Sequence, residues 1–141
     1  NGNAIARYVQ RTVTLADGQD AEDLKVFITA YKPSTANIKL YVKLLNGEDG
    51  ESIDDRTWLE LTQTTSSTVV SDSENRDDFR EFEYGIPTAS LTGDSGQVQY
   101  TTSAGVTYTG FKYFKIKAVL LSTSSSIVPR VTDFRAIALQ I

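Results

Sequence analysis

In the stretch NIKLYVKLL, residues 37–45, apolar and polar positions alternate: Ile38, Leu40, Val42 and Leu44 fall on one side, Lys39 and Lys43 on the other, with Tyr41 between them. Successive side chains of a strand point to opposite faces, so this pattern describes a strand with one dry face and one wet face. LKVFITAYK repeats it with Leu24, Val26, Ile28 and Ala30, and FKYFKIKAVLL with Phe114, Ile116, Ala118 and Leu120 set against Tyr113, Lys115 and Lys117. A chain carrying several half-buried strands has to lay their apolar faces against one another, which restricts it to packed sheets.

Further strands are expected in ARYVQRTVTL, TWLELT, FREFEYG, VQYTTSAGVTYTG and VTDFRAIALQI, all rich in the β-branched and aromatic residues that suit a pleated surface. Turn-forming clusters separate them: KPSTAN, NGEDG, TGDSG and STSSS. No helical period persists, apart from one turn expected near Ala21 with Asp20 as its cap. The fold class is all-β: an antiparallel β-sandwich, jelly-roll-like, of about eight strands. An immunoglobulin-type Greek key stays open, although the chain lacks the cysteine pair with an intervening Trp that marks it. Pro33 cannot donate a ladder hydrogen bond, so residues 24–32 and 37–45 are expected to form a hairpin around it. STSSSIVP is expected to join strands 111–121 and 131–139, whose core faces carry Ile116 and Phe134.

A length of 141 residues fits one domain, 1–141, able to bury roughly two thirds of the surface its unfolded chain exposes. The chain opens on Asn1 and contains no Met, so a piece of a longer polypeptide is expected. No apolar run approaches the roughly 18 residues of a membrane span, and no membrane partner is expected. Of the 18 acids, 13 fall within 17–23, 48–55 and 72–78, whereas the lysines alternate with apolar residues on the strands. That segregation predicts acidic loops and lysine-faced sheets. No basic cluster offers several phosphate contacts at once, which argues against a nucleic-acid partner.

With no His and no Cys, the usual general base, the thiolate nucleophile and the commonest metal ligand are all missing. What remains for an enzyme is a carboxylate pair about 5 to 10 Å apart across a groove, for which Glu60, Glu81 and Glu83 are the strand-borne candidates. Ordinary surface acids opposite strand lysines explain them as well. An EF-hand calcium loop fails on spacing, because DGQDAEDLKVFI puts Ala21 where an acid belongs, Glu22 at the Gly position and Ile28 where Glu should close the loop. Thus no metal, cofactor or catalytic residue is assigned. For a glycan, the aromatic candidates are Trp58, Tyr100 and Tyr108, with Trp58 read equally as a core or rim filler. The polar run VQYTTSAGVTYTG looks like an exposed hairpin whose edge can pair with another chain.

The runs ARYVQRTVTLADGQDAEDLKVFITAYKPSTANIKLYVKLLNGED, WLELTQ and FKYFKIKAVLLSTSSSIVPRVTDFRAIAL resemble a segment of large virion structural proteins of T4-like tailed phages of marine bacteria, cyanophages especially. The resemblance spans residues 6–63 and 111–139 and leaves 64–110 as a variable loop and hairpin region. It implies a non-enzymatic module of tail, baseplate or fibre, located in the extracellular virion. It also implies partners among other virion proteins and copies of the chain itself, as a homo-oligomer. The alternative is a carbohydrate-binding sandwich that takes a host-surface glycan at Trp58, and a carboxylate-dependent glycan hydrolase stands third.

Overall fold

The computed structural model describes residues 3–124 and 126–140; Asn1, Gly2, Ser125 and Ile141, which the sequence reading includes in the domain, the STSSS turn and the last strand, lie outside them. Eleven strands are present among the described residues: β1 Asn3–Val9, β2 Val13–Thr14, β3 Asp23–Tyr31, β4 Ala36–Leu45, β5 Leu59–Glu60, β6 Thr62–Gln63, β7 Arg80–Gly85, β8 Gln99–Thr101, β9 Thr107–Thr109, β10 Tyr113–Ser122 and β11 Arg130–Leu139. One sheet runs β1-β10-β4-β5, with β2 continuing the β1 side of β10, and the other runs β11-β3-β7-β6. Every pairing is antiparallel. The two inner faces form the core: Leu24, Val26 and Ile28 of β3 and Phe82 and Tyr84 of β7 pack with Ile38, Leu40 and Val42 of β4 and Phe114 and Ile116 of β10. The chain is therefore an all-β sandwich, and the alternating residues are its buried ones.

The expected hairpin of residues 24–32 and 37–45 does not form. β3 and β4 belong to opposite sheets, and β4 pairs instead with β10, in continuous register from Ala36↔Ser122 to Leu45↔Tyr113. The reason is burial: each strand has its own apolar face, and turning one over to face the other across the core dries both. Pro33, itself buried, sits in the short crossing, where its carbonyl accepts the Ala36 N–H at 2.9 Å.

TWLELT is likewise not one strand. Leu59–Glu60 pairs with β4 and Thr62–Gln63 with β7, so the chain changes sheets at Leu61. Leu61 is buried at that corner and donates its N–H to the Leu40 carbonyl at 2.8 Å. ARYVQRTVTL also divides, into β1 and β2, but both halves stay on β10 in one sheet. The helical turn capped by Asp20 is replaced by an extended bridge between Ala21 and Phe111, with N···O distances of 3.0 and 2.8 Å in the two directions. Both residues are fully buried, and the pairing satisfies their backbone without a helix.

The expected long hairpin is present as β8 and β9, which pair only with each other. Within residues 64–110 the expected strand FREFEYG forms β7, an inner strand of its sheet. The polar segment before β7 is pinned by Ser71, which is buried, donates its N–H to the Lys32 carbonyl at 2.9 Å and accepts the Lys32 N–H at 3.0 Å.

Candidate interaction surface

The strand acids are spread over two faces that point away from each other. Glu60 pairs in register with Tyr41, on the outer face of the β1-β10-β4-β5 sheet. Glu81 and Glu83 lie on the outer face of the other sheet, where Arg135 Nη2 donates to Glu81 Oε2 at 2.6 Å and Lys25 Nζ stands 3.9 Å from Glu83 Oε2. Arg135 also lies over Phe27, 5.3 Å from its ring centroid. These are cross-strand ion pairs on a wet surface, each contributing about 0 to 1 kcal/mol; Glu60 does not face Glu81 or Glu83 across a groove. Loop acids serve their own backbone: Asp72 accepts the Glu74 N–H at 2.9 Å, Asp78 the Asp72 N–H at 2.7 Å, and Asp49 the Glu51 N–H at 3.0 Å. Asp17 forms its ion pair with Lys112. Among the described residues no three carboxylates converge as a metal site would require.

Tyr100 and Tyr108 face one another on the hairpin with ring centroids 5.6 Å apart. Tyr100 works as an anchor: its hydroxyl accepts the Asn46 N–H at 2.9 Å and donates to Asp49 Oδ2 at 2.7 Å, while the Arg56 guanidinium lies 3.8 Å from its ring centroid. Burial, foremost, and the Asp49 carboxylate raise its pKa above the ordinary 10.0. Asn46 completes the attachment by donating Nδ2 to the carbonyls of Thr109 and Gly110 at 2.8 and 3.2 Å. Tyr100→Phe strands a buried N–H and a nearly buried carboxylate, and is expected to cost about 2 kcal/mol in urea unfolding. A loss below about 0.5 kcal/mol would deny the hydroxyl its anchoring role.

Trp58 shares a crevice with Tyr100, whereas Tyr108 lies outside it. The Trp58 ring is half-buried and carries two ammonium groups, Lys43 Nζ at 4.9 Å and Lys117 Nζ at 4.6 Å from its centroid. A sugar stacking there has to compete with both. Lys117 also lies 4.8 Å from the Tyr41 centroid. Desolvation first, then the like charges of Arg7 and Lys43, lower its pKa. This basic grouping escapes any sequence window because β1, β4 and β10 each supply one member; only the strand order makes them neighbours.

The most exposed apolar surface lies at the side of the sandwich where β1 and β11 are the edge strands. On the other side the continuous segment β5–β6 ties the sheets together through Leu61. Here no strand crosses among the described residues, and a cleft of about 320 Å³ opens between the sheets, with Ile116 and Ala118 on one wall and Val131 and Phe134 on the other. Tyr8 and Val9 stand at its lip, 63 % and 53 % exposed. The Oε1 atom of Gln10, which also lines the cleft, is buried without a hydrogen-bond partner. A cleft with apolar walls, an unmet acceptor and two edge strands suits an extended polypeptide better than a polar small molecule. The sequence carries no sign of it, since Tyr8 and Val9 read as ordinary strand residues until one knows that β1 is an edge strand. No family model matches the chain, and no curated protein and no solved structure gives a significant match.

Proposed function

We propose that this chain is a non-catalytic structural module of a tailed-phage virion, holding neighbouring chains of a tail, baseplate or fibre by protein–protein contact. The open β1/β11 side is the observation that carries the reading. A second copy presenting its own β1 edge would bury Tyr8 and Val9 against the apolar cleft and extend the sheet by strand addition. Such a contact is self-complementary, as repeated virion subunits require. The hairpin tip, with Val106 46 % exposed, offers a further surface on which a different neighbour can rest. The lack of His and Cys, the outward dispersal of Glu60, Glu81 and Glu83, and the resemblance of residues 6–63 and 111–139 to virion segments all support a role in assembly rather than turnover.

Sedimentation velocity over a concentration series tests this. The unmodified chain is expected to self-associate, and Val9→Asp to weaken association at least about tenfold, because a carboxylate would be desolvated in the contact. Val9 is largely exposed, so the melting temperature should hardly move. A chain that stays monomeric at every concentration, together with particles that incorporate the variant normally, would sink the proposal.

A further inference from the structure

A second cleft, of about 650 Å³, lies on the opposite side of the sandwich, between the start of β4 and the segment that leads out of β6. Its size falls within the range of about 300–1,000 Å³ usual for small-ligand sites. Lys32 lines it. This lysine is only 6 % exposed, its backbone N–H and carbonyl are both held by Ser71, and its Nζ lies 4.8 Å from the centroid of buried Phe82. Among the described residues Nζ meets neither a carboxylate nor a hydrogen-bond acceptor. The stem of Lys32 is buried but Nζ keeps contact with solvent, and no carboxylate of the described residues meets its charge, so an anionic ligand group can pair with it. Burial pulls its pKa down.

The rest of the lining narrows what that something is. Ile38, Leu61 and Tyr84 give an apolar floor, and Asn37, Lys39, Glu60 and Ser67 stand around it with side chains that bond to nothing else among the described residues. Unused donors and acceptors occur side by side, as a polyhydroxyl ligand requires, since each sugar hydroxyl both donates and accepts. An apolar peptide side chain would desolvate those groups without replacing their bonds. We infer that this cleft binds an acidic saccharide, with the carboxylate of a uronate-type sugar on Lys32 Nζ and the ring hydroxyls on Asn37, Glu60 and Ser67. The site is separate from Trp58 and from the β1/β11 side, and the inference stands whether or not the assembly reading does.

Calorimetric titration with trigalacturonate, neutral galactotriose and tetraglutamate provides the test. Trigalacturonate is expected to bind at least about tenfold more tightly than galactotriose, and Lys32→Met to erase about tenfold of that affinity. Because Lys32→Met keeps most of the stem and removes an unpaired charge, its melting temperature should not fall. If it does fall, Asn37→Ala, on the exposed rim, carries the test and must weaken trigalacturonate severalfold with unchanged melting. Absence of binding, equal affinity for the charged and neutral sugars, or indifference to both substitutions would overturn the inference. Tetraglutamate binding as tightly as trigalacturonate would also overturn it, making the cleft a seat for an acidic protein segment.

Discussion

Gly110→Ala is expected to lower the unfolding free energy by about 3 kcal/mol, with a shift of the urea midpoint at constant slope. Two effects add. Gly110 has φ of +79°, where an L side chain costs about 1–2 kcal/mol. A Cβ there would also stand 2.8 Å from the Ala21 carbonyl oxygen, a backbone atom that cannot rotate aside because Ala21 and Phe111 exchange hydrogen bonds. Gly110 further donates its N–H to Val98 at 2.8 Å, so the residue fixes the return of the β8–β9 hairpin into β10. Gly18 isolates the conformational part, because its φ is +78° and nothing lies within 4 Å of its Cβ position. Gly18→Ala should therefore cost only about 1 kcal/mol. Equal losses at the two positions would show that the close approach to Ala21 contributes nothing.

That pair of glycines also shows what the sequence could and could not disclose. A period of two in LKVFITAYK, NIKLYVKLL and FKYFKIKAVLL located β3, β4 and β10 and their buried residues, because alternation reports directly which side of a strand is dry. It does not report which strand lies alongside, so alternation alone reads β3 and β4 as a hairpin, whereas they face each other from opposite sheets. Glu60, Leu61 and Thr62 continue the alternation without a break while the chain leaves one sheet for the other; the change of partner has no local signal. Ala21 is paired with Phe111, ninety residues on, and a short acidic stretch with a good capping residue looks locally like a helix start. The candidate sites were less legible still. Lys32 ends a strand in the manner of a solvated lysine, and only Ser71 and Phe82, brought in from distant segments, bury it. Tyr100 reads in the sequence as one of three aromatic candidates for a glycan, and nothing local signals that its hydroxyl engages Asn46 and Asp49.

Tyr84 joins the two sheets at the same cleft, and its replacement should have the largest effect. The ring is 2 % exposed, and its hydroxyl donates to the Ile38 carbonyl at 2.7 Å. That carbonyl needs a donor for a topological reason. Leu40 turns its carbonyl toward β5 and receives the Leu61 N–H, and Ile38, two residues earlier, turns the same way, beyond the reach of β5, which pairs only with Tyr41 and Val42. The phenol takes the place of the missing strand. Tyr84→Ala removes both ring and hydroxyl and is expected to cost about 4 kcal/mol, whereas Tyr84→Phe loses only the hydrogen bond, about 1–2 kcal/mol. Burial raises the Tyr84 pKa above its ordinary 10.0, so the folded form keeps a proton that the unfolded chain releases. Stability is then fully present below about pH 10 and falls as pH rises beyond it, with Tyr100 shifted in the same direction adding to the slope. Tyr84→Phe should therefore flatten the alkaline loss by up to one proton while lowering stability at neutral pH. A variant as stable as the parent at pH 7, with the same alkaline profile, would mean that the Ile38 carbonyl finds water instead and that the sheets are joined by apolar contact alone.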